Sequence, residues 1–308
     1  MTNEKIAVIG SGLMGHGIAQ IFAVHGHSAL IIDPSQESLA TVGDRVRANL
    51  EAMLAHGVML ADDLDTIIGR ISLSTDMADC AGCDFVIEAV FEDMALKQSI
   101  FSQLDKICPA ETILCSNTSV MSITEIASTS ANRERIVGTH FWNPPYLIPL
   151  VEVVKAQGSA DSAVDATYDL LQSVGKHPVK VQKDVPGFVA NRLQHALWRE
   201  AFAIIDEGIA DAATVDECVR YGPGLRWPIL GPVENADLVG LDLTKAIHDY
   251  ILPHINADPN PSKTLNKLVD EGNLGFKSGK GFQDWSAEEI QATRDRLTNY
   301  LLEQQAKQ

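Results

Sequence analysis

The sequence predicts an α/β fold: an N-terminal domain built on a parallel sheet, residues 1–184, followed by an all-α C-terminal domain, residues 185–308. Three observations predict it. Short apolar runs alternate with amphipathic helical stretches through the first part, the pattern of a parallel sheet covered on both faces. The first of those runs passes directly into a glycine-rich turn and a helix. After "KDVPGF", helical periodicity continues to Gln308, broken by Gly/Pro loops and without a convincing strand.

Taken in order, "KIAVIG" reads as a strand. "LMGHGIAQIFAVHG" reads as a helix with Met14, Ile18, Ile21 and Phe22 on one face and Gly26 as its stop. "SALIID" is the next strand, and "ESLATVGDRVRANLEAMLAHG" is a helix striped by Val42, Val46, Leu50 and Met53. The strands "CDFVIEAV", "TILCSN", "IVGTH", "PLVEVV" and "HPVKVQ" follow. Beyond them "GFVANRLQHALWREAFAIIDEGIA" is a long amphipathic helix, and "TVDECVRYG" opens with Thr214 and Glu217 at capping-box spacing.

Composition narrows the function classes. The chain has 308 residues, 45% hydrophobic and 21% charged, with a formal net charge of −17. That balance argues against nucleic acid and against an anionic membrane surface, both of which call for clustered Lys and Arg. No apolar run approaches a membrane span, and "MTNEKIAVIG" lacks the basic start and apolar core of a secretory signal. The odd cysteine count, five, suggests reduced thiols and a cytoplasmic location. Cys80 and Cys83 form a lone C-x-x-C read as a turn, with no second pair to complete a zinc site, so no metal is expected.

The glycine turn carries the first chemistry. "KIAVI" runs into "GSGLMG", in which Gly10 allows the tight turn, Gly12 lets a pyrophosphate approach the backbone, and Gly15 lets the helix pack on the strand. The helix N-terminus then offers N–H groups and a positive dipole end to the phosphates. The next strand ends in Asp33, near the spacing for a ribose contact, so the turn reads as a Rossmann-type dinucleotide site. Asp33 would repel a 2′-phosphate, and Pro34 and Ser35 follow it with no nearby arginine, so NAD is expected over NADP.

The catalytic candidates lie past later strand ends. Asn117, Thr118 and Ser119 follow "TILCS"; His140 and Asn143 follow the next strand; Glu152 is on the strand after a Pro-Pro turn; Asn191 is on the first helix of the second part. Ligands bind at the carboxyl ends of parallel strands, so these residues can converge beside the cofactor. Oxidising an alcohol by hydride transfer needs a base for the hydroxyl proton, and imidazole suits it near neutrality. A carboxylate on the far ring nitrogen would fix the tautomer, while Ser119 and Asn191 would hydrogen-bond the reacting oxygen and a neighbouring carbonyl. Spacing alone leaves open that His140 and Glu152 are a structural buried pair.

The chain resembles the L-3-hydroxyacyl-CoA dehydrogenase family over nearly its whole length, through "GSGLMGHGIAQ", "VIEAVFEDMALKQSIF", "SNTS", "GTHFWNPPYLIPLVEVV", "GKHPVKVQKDVPGFVANRL" and "LGFKSGKGF". The resemblance implies His140 as general base, Glu152 as its orienting partner, and Ser119 and Asn191 as substrate contacts. It also implies Asn143 and Glu92 by the nicotinamide, Lys97 in the cofactor site, and a C-terminal helical domain that mediates homodimerisation.

Two departures from the acyl-CoA pattern bear on substrate. The segment after the second strand is lysine-rich in that pattern, but Gln36 to Asp65 contains no lysine. Its basic side chains are Arg45, Arg47 and His56, beside Asp44, Glu51, Asp62 and Asp63, which leaves little compensation for CoA phosphates. The loop "YGPGLRWPILGPVENADLVGLD" is longer than its family counterpart and adds Arg226 and Trp227. Arg226 offers a bidentate fork for a carboxylate, or is a surface arginine with an ion-pair partner. "NPPYLIPLVE" and "GPGLRWP" resemble the branch containing L-gulonate 3-dehydrogenase (λ-crystallin) and L-carnitine dehydrogenase, which act on free 3-hydroxy acids.

The expectation is an NAD-dependent dehydrogenase that oxidises the 3-hydroxyl of a small free hydroxy carboxylic acid. The alternatives are a 3-hydroxyacyl-CoA dehydrogenase with an altered CoA grip and a non-catalytic NAD-binding or crystallin-like protein. A 6-phosphogluconate-like β-hydroxyacid dehydrogenase is disfavoured, because "PGFVANRL" stands where its catalytic-lysine helix would begin.

Overall fold

The apolar runs pair into one eight-stranded sheet. In the computed structural model, which describes residues 4–59 and 64–307, the strands are β1 (Lys5–Ile9), β2 (Ser28–Ile32), β3 (Ile71–Ser74), β4 (Phe85–Glu88), β5 (Ile113–Ser116), β6 (Ile136–Phe141), β7 (Leu150–Val154) and β8 (His177–Val181). Their order is β3-β2-β1-β4-β5-β6-β7-β8. Every neighbouring pair is parallel except β6–β7, which the Pro-Pro turn reverses into an antiparallel pair. The chain switches sides between β1 and β4, which opens a crevice at their carboxyl ends where ligands bind in open α/β sheets.

Strand β3 is absent from the sequence reading. It is an edge strand of four residues, "ISLS", with Leu73 exposed, so it carries neither a continuous apolar run nor a buried face. Among the sequence-predicted strands β4 and β6, by contrast, have no exposed residue.

Helices α1 (Leu13–Val24), α2 (Gln36–Ala40), α3 (Val42–Ala55), α4 (Leu64–Gly69), α5 (Met94–Ile107), α6 (Ile123–Ile126) and α7 (Asp161–Ser173) cover the sheet. The α3 stripe is buried at all four positions read from the sequence, Val42, Val46, Leu50 and Met53. The predicted single helix from Glu37 is broken at Thr41, and Ser35 caps its first piece by accepting from the Ser38 N–H.

The remaining helices are α8 (Ala190–Asp206), α9 (Ala212–Tyr221), α10 (Pro232–Val239), α11 (Leu241–Ile251), α12 (Lys263–Asp270) and α13 (Ala287–Gln305). Asp211 caps α9 by accepting from the Thr214 N–H, three residues before the expected cap; Thr214 is inside the helix. The competing Asp-x-x-Thr pattern takes the position because Asp is the stronger cap.

By internal contacts the chain forms two units, residues 1–192 with 297–308, and residues 193–296. The end of the sheet and the edge of the first unit differ because Phe188, Asn191 and Leu302 are buried in that unit. The second unit is helical, and α9, α10, α11 and α12 contain no buried residue. No described helix is long and apolar enough to cross a membrane.

Candidate active site

The glycine turn has the shape a dinucleotide requires. Gly10 stands at φ +102°, and a Cβ there would lie 2.7 Å from the Ala89 carbonyl oxygen, across the crevice between β1 and β4. A Cβ on Gly15 would fall 1.8 Å from the Gly10 carbonyl oxygen, so that glycine closes the helix onto the turn. Gly12 differs: a Cβ there meets nothing within 4 Å. The first turn of α1 has no capping side chain and no acidic residue, leaving its N–H groups for an anion. A pyrophosphate fits this open, donor-rich edge.

At the end of β2, Asp33 accepts from the Ser11 N–H and Oγ, both at 2.8 Å, and from the Ser35 N–H at 2.9 Å. Partial burial would raise its carboxyl, but these donors, with Arg45 nearby, hold it below the ordinary carboxylate range. The presence of Arg45 corrects the sequence expectation that no arginine lies near Asp33. Its guanidinium reaches the Ser38 carbonyl at 3.3 Å and His16 Nδ1 at 3.1 Å, because α3 lies against α1. Only the packing of two helices reveals that proximity.

The other wall of the crevice is a buried charge network. Glu88, at the end of β4 and fully buried, accepts from Lys97 Nζ (2.7 Å), Ser116 Oγ (2.7 Å) and the Val90 N–H (2.8 Å). Lys97 is 1% exposed and pairs also with Glu92 at 3.4 Å. Glu92 accepts from Thr118 Oγ1 at 2.8 Å and the Ser119 N–H at 2.6 Å, fixing the loop after β5. Sequence reasoning singled out Lys97 and Glu92 and missed Glu88; an acid inside the apolar run "DFVIEAV" was the signal.

His140 and Glu152 are register partners across β6 and β7, and His140 Nδ1 lies 2.9 Å from Glu152 Oε2. The second carboxylate oxygen accepts from the N–H groups of Val189 (2.9 Å) and Ala190 (3.1 Å), where α8 begins. Burial would push the Glu152 carboxyl up, but the bonds from His140, Ala190 and Val189 outweigh it and hold the carboxyl low. An ionised Glu152 makes Nδ1 the protonated nitrogen, leaving the Nε2 lone pair to accept a proton. The rings of Trp142 and Phe188 flank the imidazole at 5.5 and 5.8 Å. Asn191 Nδ2 donates to the Ser119 carbonyl at 2.8 Å, joining α8 to the loop after β5.

Two family models match almost end to end: the NAD-binding domain of 3-hydroxyacyl-CoA dehydrogenase over residues 5–185 and its C-terminal domain over residues 187–285. The chain belongs to the 3-hydroxyacyl-CoA dehydrogenase family.

The chain is 36% identical to human mitochondrial hydroxyacyl-coenzyme A dehydrogenase, covering 91% of this chain and 90% of that protein. It is 38% identical to 3-hydroxyadipyl-CoA dehydrogenase of Escherichia coli K12, over 92% of this chain but only 60% of that longer protein. Among solved structures, 5-formyl-3-hydroxy-2-methylpyridine 4-carboxylic acid 5-dehydrogenase, an NAD+-dependent dismutase, superposes with a TM-score of 0.91 at 30% identity, covering 98% and 97% of the two chains. (S)-3-hydroxybutyryl-CoA dehydrogenase of Ralstonia eutropha gives a TM-score of 0.78 at 33% identity, covering 92% of this chain and all of that one. This family is made of NAD-dependent oxidoreductases that act on CH–OH groups, and this chain is one of them.

Of the sequence-predicted residues, Gly10, Gly12, Gly15 and Asp33 meet at one end of the crevice. His140, Glu152, Ser119 and Asn191, with Glu92 and Lys97, are tied together by the bonds above. Asn143 is exposed at the start of the Pro-Pro turn, one residue beyond Trp142. Arg226 belongs to the second unit, in the loop after a short 3-10 turn, Pro223–Leu225; it is exposed, and its guanidinium has no ion-pair partner among the described residues. Asp62 and Asp63 lie outside the described residues. Cys80 and Cys83 flank the end of a 3-10 turn, and burial pushes the Cys83 thiol up to about 11. Among the described residues no His, Cys, Asp and Glu cluster could hold a metal ion.

Proposed function

We propose that this member of the family oxidises the 3-hydroxyl of a small free hydroxy carboxylic acid rather than a CoA thioester. NAD, when bound, supplies the hydride acceptor. His140 Nε2 takes the hydroxyl proton, Glu152 steadies the resulting imidazolium through Nδ1, and Ser119 and Asn191 orient the reacting oxygen and its neighbour. Gly10, Gly12, Gly15 and Asp33 would hold the adenosine and pyrophosphate end, with Asn143, Glu92 and Lys97 toward the nicotinamide. Arg226 would anchor the substrate carboxylate.

The observation that carries the free-acid reading is the state of the segment after β2. Its two arginines are already engaged: Arg47 pairs with Asp65, and Arg45 turns inward to Ser38 and His16. No lysine supplements them from Gln36 to Asp65, so CoA phosphates would meet net negative charge. The TM-score of 0.91 to a dehydrogenase of a pyridine carboxylic acid supports the same reading and adds aromatic hydroxymethyl carboxylates to the candidates. The names of the CoA-ester relatives favour the second reading, a short 3-hydroxyacyl-CoA.

NADH formation with a panel of free acids (gulonate, carnitine, 3-hydroxybutyrate and aromatic hydroxymethyl carboxylates), set against 3-hydroxybutyryl-CoA, decides between them. A higher kcat/KM for a free acid is expected; turnover of the thioester alone would replace this reading with the second.

The same reading takes residues 1–184 as the NAD-binding domain and 185–308 as the substrate and dimerisation domain of a cytoplasmic homodimer. Helices that bury no residue, with Ile229, Val233, Leu238 and Tyr250 more than 70% exposed, support a second copy as their cover. Sedimentation at micromolar concentration should give a dimer mass.

A further inference from the structure

The segment "VPGFVAN" between β8 and α8 carries a backbone feature that general fold requirements do not explain. Gly187 has φ +76° and Phe188 has φ +50°. Phe188 is the non-glycine residue with positive φ among the described residues, and aromatic side chains are poorly accommodated there. Such strain persists only where the surroundings over-determine it, and it concentrates at functional sites.

Here the surroundings are identifiable. The Gly187 N–H donates to the Val120 carbonyl at 3.3 Å, tying the turn to the loop that carries Ser119. The Phe188 N–H closes back on the Val185 carbonyl at 3.0 Å. Two successive left-handed residues then turn the chain so that the next two N–H groups, of Val189 and Ala190, converge on a single oxygen, Glu152 Oε1. The same turn drives the Phe188 ring inward, where it is 1% exposed and tilted 54° to the His140 imidazole.

We propose that Phe188 is a positioning residue for the His140–Glu152 couple: its left-handed backbone aims two N–H donors at Glu152, and its buried ring packs beside the imidazole. This rests on the assignment of His140 as the base. A right-handed Phe188 would withdraw the Val189 and Ala190 donors from the carboxylate, and a smaller side chain would let the imidazole rotate away from its partner. Glycine tolerates the backbone but removes the ring; leucine keeps apolar bulk and the Cβ but not the flat ring.

The test compares Phe188→Leu and Phe188→Gly with the unsubstituted protein and with His140→Gln. The readouts are kcat, substrate KM, NAD affinity by titration, and the pH dependence of kcat. The expected result is a fall in kcat of about tenfold for Phe188→Leu and about a hundredfold for Phe188→Gly, the scale of loss when a reacting group is displaced by a fraction of an ångström to one ångström. NAD affinity should stay within about threefold, since the glycine turn is untouched. The acid limb of the kcat profile should move to higher pH in Phe188→Leu, which loses the packing that holds the left-handed backbone, because a carboxylate that loses N–H donors takes up a proton more readily. Phe188→Gly keeps the backbone and its donors and should leave the limb in place. Unchanged kcat in both variants, a kcat loss in Phe188→Leu with an unmoved acid limb, or an equal loss of NAD affinity in either variant overturns the proposal. If Phe188→Gly does not fold, Phe188→Leu decides alone. If His140→Gln retains turnover, the base assignment itself fails; if His140→Gln is inactive while the Phe188 variants behave as the unsubstituted protein, this inference alone fails.

Discussion

Glu152 reaches His140 at 2.9 Å as its direct cross-strand partner, on the antiparallel pair of an otherwise parallel sheet. In a parallel pair the same two residues would need separate strand ends and a crossover; the Pro-Pro turn brings them together within a few residues. Their side chains therefore meet by register, and register is fixed wherever both faces of a strand are buried, as they are in β6 and β7.

Replacing His140 by Gln removes the proton acceptor and leaves the glycine turn intact. Turnover should fall by roughly 10²–10⁴ while NAD still binds. Stopped-flow or steady-state NADH absorbance, alongside an NAD titration, measures both; an unchanged turnover number would sink the assignment.

Glu152→Gln should be almost as costly in kcat, on the order of 10²-fold or more, because an amide cannot both accept the two α8 N–H groups and balance an imidazolium. It also alters acid stability. The Glu152 carboxyl is held low in the folded state, so its contribution is present above the ordinary glutamate value, about 4.3, and is lost as pH falls through the lower folded value. The unsubstituted protein should lose thermal stability over that acid range more steeply than Glu152→Gln, followed by circular dichroism.

Gly12→Ala and Gly15→Ala separate ligand space from packing space. A Cβ at Gly12 meets nothing, so that variant should fold normally and lose NAD affinity by about tenfold or more. A Cβ at Gly15 collides with the Gly10 carbonyl, so that variant should melt at lower temperature or not accumulate. Equal melting temperatures for the two would contradict the geometry.

Asp33→Ala should weaken NAD binding and raise the relative use of NADP, because it removes the carboxylate that repels a 2′-phosphate and leaves the positive charge of nearby Arg45 uncompensated. Adding Arg45→Ala should abolish the gain with NADP. If NADP turnover already matched NAD in the unsubstituted protein, the role given to Asp33 would be wrong.

Lys176 donates to the Pro145 carbonyl and, at 3.1 Å, to the Ile148 carbonyl, which braces the turn between β6 and β7. Burial pushes it down to about 8. Because the folded value lies below the unfolded one, about 10.4, the cost of burying the charge is present below about pH 8 and is relieved as pH rises toward 10. The melting temperature of the unsubstituted protein relative to Lys176→Met should therefore rise between pH 7 and pH 10. A difference independent of pH would show that burial does not depress the amine in the folded protein.

The local signals of this chain were strong where chemistry and periodicity coincide. The alternation of strands and helices after the glycine turn, the α3 stripe and the placing of His140 and Glu152 on strands joined by a Pro-Pro turn follow from residue type and spacing, since apolar period and turn chemistry act over a few neighbours. The edge strand β3 left no such signal, being short and half-exposed. Glu88 gave one that went unread, an acid within an apolar strand.

Tertiary structure decided the relationships between residues far apart in sequence. Arg45 comes beside Asp33 only because two helices pack, and Glu88 becomes the anchor of Lys97 only because α5 returns over β4. Asp211 rather than Thr214 caps α9, a choice between two side chains three residues apart that the folded backbone makes. Above all, the left-handed turn at Phe188 is invisible in composition. The sequence by itself determined the glycine turn and most strands of the sheet, and brought His140 and Glu152 onto neighbouring strands; how that pair is held in place depended on long-range packing, which no local pattern encodes.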